Sequence, residues 1–127
     1  MFGLLVGALH LFLTVNACLR SFAGRWTIGG VGAIVRVFLM IAVTMASARI
    51  RGAGAEPSTA FFVALVVSPL LSFVLLGLAY RRRTRLPAGS EAEAVADKIV
   101  TSWIAVAVID AMLVVIGLAS RMIAAPP

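Results

Sequence analysis

The sequence predicts an all-α fold: a single transmembrane domain over residues 1–127 that forms an integral membrane four-helix bundle. The first reason is composition, because 62% of the 127 residues are hydrophobic and 13% are charged, whereas soluble domains are roughly 45–50% apolar and 25% charged. The second is that four apolar stretches, separated by arginines, are long enough for helices of about 20 residues to cross a hydrocarbon core about 30 Å thick. Barrel strands of about 9–11 alternating residues do not fit this pattern. An ordinary soluble domain is therefore excluded.

The first apolar stretch, residues 2–18, can be a membrane span or the apolar core of a signal peptide. A signal peptide begins with a basic segment, and the residues before Leu4 carry no charged side chain, so we interpret the stretch as a span. The alternative is lipidated cleavage before Cys18, since residues 15–18 loosely resemble a lipoprotein cleavage box in which Asn16 is off the pattern.

The second and third stretches, residues 27–48 and 59–79, each contain one residue that is unusual in a lipid-facing helix. Arg36 lies inside the second. A central Arg costs about 2.5–3.5 kcal/mol on insertion, while the nine Ile, Leu, Val and Phe residues of this stretch return about 3–5 kcal/mol, so the span is marginal by itself. Pro69 lies inside the third. It has no N–H to donate to the carbonyl of Leu65, and we expect that oxygen to be free.

The fourth stretch, residues 99–120, follows a polar loop at residues 80–98. Ser90 followed three residues later by Glu93 matches a capping box, and acidic residues suit the first turn of a helix. The sequence therefore predicts a fourth helix that starts near Glu91 and is about 45 Å long at 1.5 Å per residue. This length exceeds the hydrocarbon thickness, so we expect the first two turns to project into the cytoplasm.

The distribution of basic residues predicts the orientation of the spans. The first and third loops share one side and hold seven basic residues, against three on the other side. Because basic residues favour the cytoplasmic side, we expect both termini outside and the 80–98 loop inside. Ten arginines against one lysine, with many alanines, favour a bacterial source and hence a cytoplasmic (inner) membrane. The seven are Arg20, Arg25, Arg81, Arg82, Arg83, Arg85 and Lys98, and the three are Arg49, Arg51 and Arg121.

Four of these basic residues form one run directly after the third span, Arg81, Arg82, Arg83 and Arg85. At the end of a span they lie at headgroup level, which makes them a candidate lipid-binding site for anionic headgroups. Basic runs also occur in nucleic-acid-binding proteins, but no aromatic residue interleaves with this run and the rest of the chain leaves no room for such a fold. We therefore expect membrane lipids, and no nucleic acid, as partners.

Three aromatic residues lie near predicted span ends: Trp26, Tyr80 and Trp103. Trp and Tyr are enriched at membrane interfaces, so we expect these residues to anchor the helices there. Trp103 is the one whose position allows it to lie deeper than the headgroups.

Three ionisable residues inside the spans form a candidate intramembrane polar site: His10, Arg36 and Asp110. Counted from the cytoplasmic span ends, they and Pro69 lie at about 13–16 Å, close to the bilayer centre. Arg36 and Asp110 belong to spans that run in the same direction. An ion pair between them, within one chain or between two, is the simplest way to keep both charges in the membrane.

Small and polar residues at helical spacing predict which helix faces meet at this layer. Gly3 and Gly7 form a GxxxG pattern, which favours close helix approach, and Ser68 and Ser72 flank Pro69 in the third span. The stripes of the other spans are Gly3, Gly7, His10, Thr14 and Ala17; Gly29, Ala33, Arg36, Met40, Thr44 and Ser47; and Trp103, Ala107, Asp110, Val114 and Gly117.

The sequence contains little that catalysis could use. Cys18 is its single cysteine and His10 its single histidine, and no nucleophile, phosphate-binding or metalloprotease motif occurs. We therefore predict no catalytic residues, no metal site and no cofactor. The prediction for function is a non-catalytic subunit or oligomeric scaffold of a membrane complex, as a homo-oligomer or with other subunits. The alternative is a small oligomeric transporter or channel that uses the midplane Arg, Asp and His.

Overall fold

The computed structural model describes residues 2–53 and 59–124, and among these it contains four helices and no strand. Each helix is long and apolar enough to cross a membrane, so the predicted all-α architecture with four spans is confirmed. The helices are α1 (Phe2–Ala23), α2 (Thr27–Ala53), α3 (Thr59–Thr84) and α4 (Glu91–Ala124).

The helices pack as an antiparallel square. Each contacts the helix before and after it in the chain, and α4 closes the square against α1. The antiparallel direction is visible in the pairs that join α1 to α2, because the Cys18 thiol lies 3.6 Å from the carbonyl of Gly30, whereas His10 contacts Arg36. In the described ranges α2 and α4 make no backbone contact across the diagonal. A link between these two helices must therefore be made by long side chains.

The turn between α1 and α2 ends α1 with a Schellman motif. The N–H of Trp26 donates to the carbonyl of Ser21 at 2.8 Å, and the N–H of Arg25 donates to that of Phe22 at 3.0 Å. Arg25 has a φ of 59°, the left-handed conformation that Gly usually takes in this motif. Gly24 beside it packs closely against α4, because a Cβ there would lie 2.6 Å from Cδ1 of Ile99.

The turn between α3 and α4 confirms the predicted start of α4 at Glu91. Ser90 caps this helix, since its Oγ accepts from the N–H of Glu93 at 3.1 Å. The capping box is not reciprocal, because the Ser90 N–H donates to the carbonyl of Pro87 at 3.2 Å. Gly89, with φ of 77°, supplies the positive φ that the third residue of this tight turn requires.

The bundle has a tightly packed half and a looser half. We call the end that carries residues 24–26 and 85–90 the turn end, and the opposite end the far end. Every buried residue among those described lies in residues 10–36 or 68–110, which is the half toward the turn end. Its interior contains Trp103 (0% exposed), Ile99, Val106, Leu75 and Ala33. Toward the far end, the described side chains are half-buried or exposed.

Two tryptophans correct the expectation of interfacial anchors. Trp26 and Trp103 are buried in the bundle, and the indole N–H of Trp103 donates to Ser21 Oγ at 3.4 Å. Tyr80 is 57% exposed at the end of α3, where an interfacial side chain is expected. Trp103 also lies on the predicted inner stripe of α4, and its side chain points into the bundle, as that stripe predicted.

In the described part of the chain, glycines of α2 allow close helix packing and Gly7 of the predicted pair does not. Gly7 is exposed and a Cβ there would meet no described atom within 4 Å, whereas a Cβ at Gly30 would lie 2.5 Å from the ring of Phe22. At Gly32 it would lie 2.7 Å from Leu75. Glycines of α2 near the turn end therefore allow the close packing that the GxxxG pattern predicted for α1.

Other predicted stripe positions divide in the same way between the two halves. Thr14, Ala17 and Ala107 are buried as expected, whereas Val114 and Thr44, toward the far end, are exposed. Gly3 and Gly117, together with the side chains of Arg51 and Arg121, lie outside the part whose surroundings the structure describes.

The helix α4 is longer than the hydrocarbon core requires. It has 34 residues, about 51 Å at 1.5 Å per residue, against a core about 30 Å thick. Val95 and Ile99, in its early turns, lie beside Gly24 of the α1–α2 turn. The projection of its first two turns into the cytoplasm stays a prediction.

Candidate functional site

The guanidinium of Arg36 is the centre of the candidate site. Arg36 lies on α2 and is completely buried, with 0% exposure. Its Nη2 donates to Oδ1 of Asp110 on α4. Its Nη1 donates to the hydroxyl of Ser68 on α3 at 2.8 Å, and also to the carbonyl of Ser68. The predicted ion pair thus forms within one chain, across the diagonal of the square.

His10 completes the layer from α1. Its Nε2 lies 2.7 Å from Arg36 Nη2 and 2.8 Å from Asp110 Oδ1. A neutral ring with its proton on Nδ1 accepts at Nε2 from Arg36, whereas a ring with a proton on Nε2 donates to Asp110. One nitrogen cannot do both at once, so the protonation state of His10 selects its partner.

The layer therefore receives one side chain from each helix: His10, Arg36, Ser68 and Asp110. The structure brings together all three residues of the predicted polar site. The charges of Arg36 and Asp110 cancel, so the layer is neutral when His10 is neutral. Removing one partner from such a buried pair costs about 3–5 kcal/mol, because it leaves the other charge without compensation.

Ser68 is the acceptor that sequence reasoning did not identify as part of the site. The two serines beside Pro69 predicted a polar face on α3, and both are buried. The guanidinium, however, takes the carbonyl of Ser68 and not that of Leu65, which Pro69 deprives of a donor. A backbone acceptor is present at every residue, so no sequence signal distinguishes the one that Arg36 reaches.

Three buried polar atoms around the layer keep unused hydrogen-bonding capacity. They are Nε of Arg36, Oγ of Ser72 and Oδ2 of Asp110, none of which has a partner among the described residues. Most buried polar atoms in folded proteins are paired. The layer therefore has donors and acceptors available for exchange, although its central ion pair is complete.

The layer lies at the boundary between the packed half and the looser half. On the side of the turn end it is covered by buried residues, and Thr14 donates to the carbonyl of His10 at 2.8 Å. On the other side, Val114, one turn beyond Asp110 on the same face, is 45% exposed. Ser68, His10 and Asp110 are 8%, 7% and 4% exposed, whereas Arg36 is 0% exposed. The guanidinium is therefore the most completely enclosed group of the layer.

The four arginines of the candidate lipid-binding run have different surroundings. Arg82 donates to the carbonyl of Gly24 at 3.0 Å and so joins α3 to the first turn. Arg83 pairs with Asp97 on α4 at 3.3 Å, with both side chains partly exposed. Arg81 and Arg85 are exposed. Two of the four are thus engaged inside the protein, and two are directed away from it.

No family model, curated protein or solved structure matches the chain. Its function has to be inferred from its own geometry and from its four membrane-spanning helices.

Proposed function

We propose that the chain is a non-catalytic, multi-pass subunit or oligomeric scaffold of a bacterial cytoplasmic membrane complex, with both termini outside. The observation that carries this proposal is the set of Arg36 contacts: a completely buried guanidinium bonds to one side chain from each of the other three helices. Both Nη groups are used within the protein, and neither is available to a substrate. This arrangement suits a residue that holds helices together.

The looser half supports the assembly part of the proposal. Toward the far end the four helices do not bury side chains among themselves in the described ranges. Helices in lipid associate through van der Waals packing and hydrogen bonds. The exposed apolar surface there, with Thr44 and Ser47 on α2, suits contacts with lipid and with neighbouring helices of a complex.

The test compares single and double substitutions of the ion pair. Arg36→Met and Asp110→Leu each leave one buried charge without its partner. The double variant replaces the pair by apolar side chains, a change that often leaves the stability of other proteins unaltered. We expect each single variant to lose assembled protein and the double variant to regain it, measured as oligomeric mass in detergent. Arg49→Met, an exposed arginine on the same helix, is the matched control. A double variant that assembles less than either single variant would contradict the proposal.

A second candidate function is transport, and the position of His10 favours it. Its Nε2 lies between a donor and an acceptor, and Oδ2 of Asp110 has no described partner. Proton exchange at such a layer is a common use of intramembrane His and Asp. Four short helices enclose little space, so transport requires several protomers or a partner subunit.

Proton flux into liposomes separates the two candidates. A transporter predicts a pH change inside vesicles that carry the wild-type protein, and its loss in the assembled Arg36→Met, Asp110→Leu double variant. The scaffold proposal predicts no flux from either protein. Flux from the wild type that the double variant lacks would favour transport over the scaffold.

A further inference from the structure

An open cavity lies at the turn end, away from the Arg36 layer. It has a volume of about 350 Å³, enough for a small polar group. Its lining comes from the last turn of α3, the first turn of α4 and the connection between them. The lining residues are Tyr80, Arg83, Thr84, Leu86, Ala88 and Glu93.

The cavity presents one positive and one negative group that do not pair with each other. Arg83 uses its Nε for Asp97 at 3.3 Å, and its two Nη groups have no partner among the described residues. The backbone N–H of Glu93 donates to Ser90, while its carboxylate accepts from no described donor. The two Nη groups of Arg83 and the carboxylate of Glu93 are therefore available to an occupant, with Asp97 beside Arg83.

The cavity adjoins the end of the apolar stretch of α3, where lipid headgroups are expected. Tyr80, in its wall, directly follows the apolar stretch of α3 and is 57% exposed, as interfacial tyrosines are. A small molecule at this level, held next to apolar helix surface, is most simply the headgroup of a membrane lipid. Its chemistry must match a guanidinium and a carboxylate at the same time.

We propose that this cavity binds a zwitterionic phosphoethanolamine headgroup, with Arg83 on the phosphate and Glu93 on the ammonium. A guanidinium with two free Nη groups suits bidentate contact with phosphate oxygens. A primary ammonium donates hydrogen bonds to a carboxylate, which a quaternary ammonium cannot do. The quaternary headgroup of phosphatidylcholine is held by aromatic cages, and this cavity has the single aromatic residue Tyr80. A purely anionic headgroup leaves Glu93 unpaired beside negative charge.

This site shares no residue with the Arg36 layer, so its failure leaves the proposed function intact. It also narrows the expectation for the arginine run. Arg83 acts together with Glu93 on one headgroup, Arg82 serves the α1–α2 turn, and Arg81 and Arg85 remain for non-specific contact with anionic lipid.

The experiment measures lipid retention by native mass spectrometry. The full chain is equilibrated in detergent with equal amounts of phosphatidylethanolamine, phosphatidylcholine and phosphatidylglycerol that carry identical acyl chains. We expect phosphatidylethanolamine to be retained about tenfold over phosphatidylcholine, as one charge-assisted hydrogen bond provides. Glu93→Gln abolishes this preference, whereas Arg83→Gln lowers retention of all three lipids. The matched controls, Glu91→Gln and Arg85→Gln, change exposed residues of the same segments outside the cavity and keep it.

Two results would overturn the proposal. One is a wild-type protein that retains phosphatidylglycerol or phosphatidylcholine as well as phosphatidylethanolamine. The other is a Glu93→Gln variant that keeps the preference while unfolding at the wild-type temperature. Soluble glycerophosphoethanolamine is added as a competitor in a separate arm. If it displaces the lipid at equal concentration, the site recognises a soluble compound and the assignment to membrane lipid is wrong.

Discussion

Arg36 and Asp110 are predicted to respond unequally to loss of their partner. In Asp110→Leu, the Arg36 charge keeps Ser68 and a neutral His10 but has no counter-charge among the described residues. In Arg36→Met, the Asp110 carboxylate still has His10 Nε2 at 2.8 Å, and a ring with its proton on Nε2 donates to it. Loss of a buried partner costs about 3–5 kcal/mol, a large part of the roughly 5–15 kcal/mol that stabilises a typical small protein. We expect Asp110→Leu to have this full effect and Arg36→Met a smaller one.

The difference between the two variants depends on the groups around His10. The groups that face His10 are Arg36 from α2, Asp110 from α4 and the uncharged Ser68 from α3. In Arg36→Met the Asp110 carboxylate keeps one hydrogen-bond donor when the His10 ring carries its proton on Nε2, whereas in Asp110→Leu the Arg36 charge keeps only neutral acceptors. We therefore expect the melting temperature of Asp110→Leu to be the lower of the two.

The assay uses the single cysteine of the chain. Cys18 is partly buried, so a thiol-reactive dye reports its exposure as the protein unfolds in detergent. Wild type and the Arg49→Met control are measured under the same conditions. Equal melting temperatures for Arg36→Met and Asp110→Leu would refute the role assigned to His10.

Three further predictions concern the turns, the packing and the orientation. R25G relieves a non-glycine residue at φ of 59° and should raise stability by about 1 kcal/mol, measured as a higher melting temperature; a lower one would contradict the strain. Gly30→Ala should destabilise by about 1–3 kcal/mol through overpacking, whereas Gly7→Ala, in open space, should have no such effect. In a cysteine-free background, a cysteine at Arg85 should be labelled by an impermeant maleimide only in broken cells and one at Arg49 also in intact cells; the reverse pattern would invert the topology.

The four helices could be predicted from the sequence because bilayer thickness sets the length of a span. The length of an apolar stretch is known without any knowledge of tertiary contacts. The same holds for the start of α4, where Ser90 and Glu93 form a local signal. Depth along each helix also follows from counting, so His10, Arg36 and Asp110 were predicted at one level.

The direction of a side chain is harder to predict than its depth. An aromatic residue near a span end has the same sequence pattern whether it faces lipid or the bundle, and Trp103 carried both signals: interfacial depth and a place seven residues before Asp110 on the same stripe. Packing followed the stripe. Gly7 of the GxxxG pair lies toward the far end of α1, and a Cβ there would meet no described atom within 4 Å. Close packing is concentrated at the turn end, and the sequence pattern of one helix does not show at which end of the bundle this occurs.

The two candidate functions make opposite demands on His10, and one substitution separates them. A structural link between the helices needs permanent hydrogen bonds, whereas proton transport needs a hydrogen bond that changes partner. In His10→Gln, the side-chain oxygen can accept from Arg36 while the amide N–H donates to Asp110, so both contacts that compete for Nε2 in the wild type are made together without a titrating group. If the layer only links the helices, we expect this variant to assemble and to melt at or above the wild-type temperature. If the layer transports protons, the variant assembles equally well but any wild-type flux is lost. A variant that fails to assemble would show that the imidazole ring fills space that the amide cannot, and the layer would then depend on packing rather than on the hydrogen bonds of Nε2.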